Sequence, residues 1–186
     1  MESIKVMKVV SIVGMAGAGK SEVARLFEES GFIRIRFGDI TDEEIKKRGL
    51  ELNETNERYI REFLREGYGM AAYAKLNLPR IDEVSKYSDV VVDGLYSWEE
   101  YVFLKTYYGE GFYVVAVWAS PKTRHERLMR RPERPLTLEE AISRDEEEIE
   151  NTNKGGPIAM ADFTIINESS LENLRKEARR IISRLR

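Results

Sequence analysis

The chain has no cysteine and no glutamine, and only a single histidine. Without cysteine, disulfides and thiolate metal sites are excluded. A surplus of basic charge is missing too: the formal net charge is −3, against the basic footprint of a general nucleic-acid binder. No run approaches the roughly 20 apolar residues that span a bilayer. The N-terminal run Val6–Val13 passes straight into a glycine loop, which a signal peptide lacks, so a cytoplasmic protein is expected, without membrane or nucleic-acid partners.

What is abundant is charge. Asp, Glu, Lys and Arg make up 34% of the 186 residues and apolar residues 42%, a soluble chain sized for one substantial core. Many Lys, Arg and Glu with no glutamine is the pattern of ion-pair networks and few thermolabile side chains, so a thermophilic source is expected. No repeat, low-complexity tract or linker divides the chain, and residues 1–186 are read as a single domain.

Short β-rich apolar runs alternate with helical patterns. Strands are predicted at Met7–Val13, Phe32–Phe37, Asp89–Asp93, Phe112–Ala119 and Phe163–Asn167. Three of them are nearly continuous apolar runs, as expected for strands covered on both faces, so the sheet is expected to be parallel. Helices are predicted at Lys20–Ser30, Asn53–Arg65, Ser97–Tyr107, Pro121–Arg130, Leu136–Glu150 and Leu171–Leu185. The fold class is therefore α/β, a three-layer α/β/α arrangement with five parallel strands. Two polar excursions interrupt it: about 40–78 after the second strand, and about 132–157 after the fourth. Such insertions at a ligand-binding sheet edge often become moving flaps.

Between the first strand and first helix, Gly14-Met15-Ala16-Gly17-Ala18-Gly19-Lys20-Ser21 fits G-x-x-x-x-G-K-[ST] at every position. Glycines and small residues let the backbone wrap a phosphate. Consecutive N–H groups and the helix N-terminus supply positive potential. Lys20 adds a mobile charge for the β- and γ-phosphates, and the Ser21 hydroxyl is a Mg²⁺ ligand. A second element, Val90-Val91-Val92-Asp93, ends an apolar strand in a carboxylate that can serve the Mg²⁺ shell or orient an acceptor; a plain Asp-Gly turn would read the same way.

The guanine-specific N/T-K-x-D element is absent, since Asn153-Lys154-Gly155-Gly156 lacks the Asp. The chain also leaves little room for the sensor elements of a mechanical ATPase. Kinases remain. Phosphoryl transfer depends on positioning and charge stabilisation, which directs attention to arginines. Arg124, Arg127, Arg130, Arg131 and Arg134 crowd one segment, although such runs are usually solvated helix faces. His125 and the run Glu146-Glu147-Glu148 read as surface. Asp39 either orients a nucleophile or caps a helix. Arg61 and Arg65, at i and i+4, share a face that could clamp an acceptor phosphate. Tyr59, Phe63, Tyr68 and Tyr73 read as core.

These residues carry a resemblance. The stretch Gly14–Ala24 resembles the opening of nucleoside-monophosphate kinases and dephospho-coenzyme A kinases. Phe37-Gly38-Asp39 resembles their acceptor-side entry, Asp93-Gly94 the end of the third strand in adenylate kinases, and Arg127-Leu128-Met129-Arg130-Arg131 the opening of the lid. Arg144-Asp145 sits where the lid returns, and Ala161–Asn167 resembles the last strand with its adenine-side loop. From Val9 to about Leu174 the chain is most similar to a family of archaeal adenylate-kinase-related proteins, a likeness that includes Arg48–Asn53 and Arg65-Glu66 near Gly69-Met70. The resemblance implies an ATP-binding site at Gly14–Ser21 with Arg127 and Asn167 on the adenine side. It implies catalytic Lys20, Asp93, Arg131 and Arg144, with Mg²⁺ at Ser21 and Asp93. It also implies an acceptor site at Phe37, Gly38, Asp39 and Gly94, a helical acceptor-binding insertion and a lid at about 124–157. AMP, another nucleoside monophosphate or dephospho-coenzyme A is the acceptor so implied. One departure stands out: where that archaeal family carries an arginine after Asp-Gly, this chain has Tyr96, which cannot replace a bidentate phosphate fork. Two other readings follow: a nucleotide sensor with little turnover, or an NTPase coupled to a partner.

Overall fold

In the computed structural model, residues 7–132 and 135–186 are described. Glu133 and Arg134 of the arginine-rich segment lie outside them. The order is β1 (Val9–Val13), α1 (Lys20–Glu29), β2 (Ile33–Arg36), α2 (Asp39–Lys47), α3 (Glu54–Tyr68), α4 (Ala72–Val84), β3 (Val90–Asp93), α5 (Trp98–Tyr108), β4 (Phe112–Trp118), α6 (Pro121–Met129), α7 (Leu138–Glu150), α8 (Gly155–Ala159), β5 (Phe163–Ile166) and α9 (Leu171–Leu185).

The five strands form one sheet in the order β2-β3-β1-β4-β5, and every pairing is parallel. Alternation along each strand divides the core into two layers. Val9, Val13, Val90, Val92, Val114 and Ala116 face Ile45, Ile60, Leu64, Tyr73, Ile81 and Leu104 of α2–α5. Val10, Ile12, Val91, Val115 and Val117 face Val23, Phe27, Ala178, Ile181 and Ile182 of α1 and α9. Each Val, Ile, Leu or Phe among them, fully buried, contributes roughly 1.5–3 kcal/mol. The three-layer α/β/α architecture is thus the one expected, with strand ends moved by a residue or two.

The excursion after β2 differs in detail. Three helices fill it, where only α3 was anticipated. α4 carries Pro79 in its interior, a residue that reads as a helix stop because it lacks an N–H and crowds the preceding turn. Burial of Tyr73, Ala74, Asn77 and Ile81 outweighs that local cost. Of the four aromatics read as core, only Tyr73 is; Tyr59, Phe63 and Tyr68 are exposed.

Parallel order puts every strand's carboxyl end on one edge. There the chain turns at Gly14, Gly38, Gly94, Ala119 and Asn167, the edge where ligands of such sheets bind. With β3 on one side of β1 and β4 on the other, the loop after β1 opens at the switch point.

Candidate active site

The loop from Gly14 to Ser21 gets its shape from backbone conformations that glycine permits and from braces behind it. Gly19 has φ of 104°, and a Cβ there would lie 2.5 Å from the Asn167 amide nitrogen. That amide donates to the Ala18 carbonyl at 2.8 Å. A Cβ on Gly17 would come 2.7 Å from the Arg124 carbonyl oxygen. Ala16 packs with Leu128 and Ala141, so α6 and α7 support the loop from below. Gly19 also precedes α1, so the loop's N–H groups lead directly into a helix N-terminus.

Lys20 donates to the Met15 carbonyl at 3.0 Å. Its ammonium is pushed down to about 7, first by burial and then by the Lys154 ammonium, with Glu148 and Asp93 opposing. A cation this uncomfortable gains most when a phosphate arrives. Ser21 is exposed on the first turn of α1. Among the described residues no group of three or more acidic or histidine side chains could form a metal cage. A single hydroxyl with a nearby carboxylate suits Mg²⁺, which keeps waters and takes phosphate oxygens rather than an all-protein shell. Asp93 lies within electrostatic reach of Lys20, and one of its oxygens accepts from the Arg34 guanidinium.

The arginines fall into two groups. Ser120 caps α6 with Pro121 in its first turn, which places Arg124 and Arg127 toward the loop. Arg124 is buried. It donates to the Ala16 and Ala119 carbonyls at 3.1 Å each and forms a fork with both Asp145 oxygens at 2.7 Å. Arg127 donates to Asn167 O at 2.9 Å and Gly17 O at 3.4 Å, so it ties the loop after β5 to the phosphate loop. Arg131 and Arg144 instead remain exposed, with Arg144 near enough for its charge to act on Lys20. Partial burial, and then the neighbouring Arg144 charge, lower the affinity of Arg131 for its proton. Arg144 lies 3.6 Å from Glu148, and Arg130 is also exposed.

Two expectations about surface residues are corrected. His125 is buried, its Nε2 2.8 Å from Asp145, because Asp145 reaches across from α7 to both His125 and Arg124. Glu148 is no solvated member of the acidic run. It pairs with the buried Lys154 at 3.0 Å, and the cations Lys154 and Lys20 hold its carboxyl below the usual range although burial pulls the other way. A charge in a helix or turn reads as solvent-facing until its tertiary partner is known, and Lys154 was missed for that reason.

On the acceptor side, Phe37 is fully buried, so at this edge it offers backbone rather than ring. Gly38 precedes α2, and Asp39 lies 3.4 Å from Arg36, both exposed. Tyr96 lies directly on Gly94, where an added Cβ would meet its ring carbon at 2.7 Å. Its ring packs edge-on against Tyr73 at 5.3 Å and Phe37 at 6.5 Å. Beneath it is a fully buried carboxylate. Glu100 accepts from the Tyr96 N–H at 2.7 Å, its other oxygen has no hydrogen bond, and burial raises it to about 7 against the pull of backbone N–H groups and Arg65. Arg65 is half-buried with its guanidinium carbon 6.0 Å from the Tyr73 ring, while Arg61 pairs with Glu57 at 3.6 Å.

The loop Gly14–Ser21 and the residues that brace it lie at the carboxyl edge of the parallel sheet, and comparisons with known proteins bear on the fold that holds them there. The sequence model of a family described as AAA domain matches residues 10–151. A UPF0200 protein of Thermococcus kodakarensis is 37% identical over 95% of this chain and 97% of its own length. A shikimate kinase from Bacteroides thetaiotaomicron superposes with a TM-score of 0.62 at 13% identity, over 96% of this chain and 98% of that one. A dephospho-CoA kinase from Campylobacter jejuni gives 0.57 at 16% identity, over 97% and 98%. These two likenesses show the fold, a P-loop kinase architecture. No helix among the described residues is long and apolar enough to cross a membrane. The chain carries an AAA domain and belongs to the UPF0200 family of archaeal proteins.

Proposed function

We propose that this protein is a kinase that uses ATP and Mg²⁺ to phosphorylate a small, nucleotide-like acceptor. The observation that carries the reading is the loop Gly14–Ser21 at the carboxyl edge of the sheet, with half-buried Lys20 at the start of α1 and the Asp93 carboxylate within electrostatic reach of it. In this reading Gly14–Ser21, including Met15, Ala16 and Ala18, wrap the donor phosphates. Lys20 pairs with the β- and γ-phosphates, and Arg127 and Asn167 border the adenine. Ser21 and Asp93 would hold Mg²⁺, which would supply charge neutralisation to the transferring phosphate. Arg131 and Arg144 close from the mouth and exclude water, the competing acceptor. Gly38, Asp39, Arg61, Arg65 and Gly94 border the acceptor, with AMP, another nucleoside monophosphate or dephospho-coenzyme A as candidates. An acceptor oxygen forms the new bond to the γ-phosphorus. The bond to the β–γ bridging oxygen breaks, and its electron pair leaves with ADP.

A second reading, a nucleotide sensor with little turnover, is favoured by Tyr96, whose ring covers Gly94 where a phosphate-clamping arginine is expected. Incubation with ATP, Mg²⁺ and a panel of nucleoside monophosphates plus dephospho-coenzyme A distinguishes them. Acceptor-dependent ADP with a phosphorylated product is the expected result. Binding without turnover supports the sensor, and acceptor-independent phosphate release supports an NTPase; either overturns the kinase.

A further inference from the structure

Between the donor and acceptor sides lies a buried cation that belongs to no motif in the sequence. Lys154 immediately precedes α8, on a turn built to point it inward. Asn153 holds φ of 51°, a left-handed conformation that asparagine tolerates better than most residues. The Thr152 hydroxyl donates to the Glu148 carbonyl at 2.6 Å, and the Trp98 N–H donates to the Thr152 carbonyl at 3.3 Å. A Cβ on Gly156 would come 2.6 Å from the Trp98 ring, so α8 lies flat on the start of α5.

The Lys154 side chain retains 5% exposure, with Nζ 3.0 Å from Glu148 Oε2 and 5.7 Å from the centre of the Tyr96 ring. Lysine is almost never buried this far unless paired. Yet the pairing is incomplete, because Glu148 Oε2 has no hydrogen bond despite that approach. One carboxylate also faces two ammonium groups: Glu148 attracts both Lys154 and Lys20, which repel each other. Burying a charge pair costs several kcal/mol per ion, and an apolar pair of similar size is often at least as stable. The arrangement becomes favourable when a more highly charged anion joins it.

Position narrows the anion. Lys154 feels Lys20's partner Glu148 and Arg144 on the donor side, and Glu100 and the Tyr96 ring on the acceptor side. We propose that Lys154 is a second phosphate-binding lysine that takes an oxygen of the phosphoryl group in transit from donor to acceptor, with Glu148 holding its place until that group arrives. The positive charge absent at Tyr96 is thereby supplied from the α7–α8 turn. This proposal rests on the reading of the site as ATP-binding.

The test compares the Mg²⁺ complexes of β,γ-imido-ATP and ADP by titration calorimetry on the full chain. Lys154→Met is expected to weaken imido-ATP by roughly tenfold or more relative to ADP, the scale of one lost charge-assisted hydrogen bond. Glu148→Gln keeps the shape, removes the competing charge, and is expected to tighten imido-ATP several-fold more than ADP, a difference of about 1 kcal/mol or less. Equal loss for both nucleotides in Lys154→Met makes the residue a structural prop and overturns the proposal, as does no loss. If that variant does not fold, Glu148→Gln decides, and an imido-ATP affinity unchanged relative to ADP overturns the proposal. Failure of the unsubstituted protein to bind either nucleotide instead overturns the ATP-binding reading beneath it.

Discussion

The two sides of the candidate site are held by different physics. The phosphate loop is fixed by backbone geometry: positive φ at its glycines, with carbonyls tied from behind by Arg124, Arg127 and Asn167. The side toward α7 is fixed by charge, with Lys154, Glu148, Arg144 and Arg131 set near one another on α7, its following turn and just past the end of α6. The first arrangement is rigid and contiguous in sequence. The second is assembled from side chains that acquire meaning only in each other's company. Arginines seven residues apart illustrate the difference: Arg124 is buried and braces the loop, while Arg131, just past the end of α6, is exposed.

Breaking each side in turn sharpens that contrast. The largest effect is expected for Lys20→Ala, which removes the central cation of the loop. ATP-dependent turnover should fall by about 10²–10³-fold, the usual loss for a preorganised electrostatic group, in a coupled assay of ADP release. Arg124→Ala should cost about 3–5 kcal/mol, because Asp145 is left with one partner fewer in a buried setting. Thermal unfolding would show it as a drop of roughly 10 °C. Arg144→Ala, by contrast, should change stability by no more than about 1 kcal/mol, since the arginine side of its 3.6 Å pair with Glu148 faces solvent and Lys154 still holds the carboxylate, while turnover falls.

Glu100 offers a pH-dependent comparison between the sides. Its carboxyl is raised to about 7 in the folded chain from an ordinary 4.5. Below 4.5 both folded and unfolded forms are protonated, so no penalty exists. Between 4.5 and 7 the unfolded chain ionises first, and stability is lost as pH rises. Glu100→Gln should therefore match the unsubstituted protein at pH 4 and exceed it by roughly 1–3 kcal/mol at pH 8 in denaturant titrations. The smallest effect is expected for Asp39→Ala. Its pair with Arg36 is exposed, so stability should move by less than about 0.5 kcal/mol, and a larger change would give Asp39 a structural role.

The same division explains what could be read from the chain alone. Apolar β-branched runs announced all five strands, and the loop Gly14–Ser21 was legible because its residues are neighbours in sequence. α2 and α4 were not, since a polar stretch and Pro79 argue locally against helix while tertiary burial decides otherwise. His125 and Glu148 read as surface residues, and Lys154 drew notice only as part of a stretch that lacks the guanine-specific Asp. No local signal marks Lys154; the left-handed Asn153 and the crowded Gly156 are its only indirect signs, and both require the fold. Tyr96 was noticed as a departure, but its packing against Gly94 was not foreseeable.

The braces behind the phosphate loop also bear on how the protein is made. Ala16 is held by a residue 108 positions later and Ala18 by one 149 positions later. Contacts so distant in sequence close slowly, after the local helices have formed. The motif thus precedes the residues that brace it along the chain, and its cradle is complete only once Arg124 and Asn167 are in place. A growing chain that has not yet reached β5 carries the letters of the site without its grip.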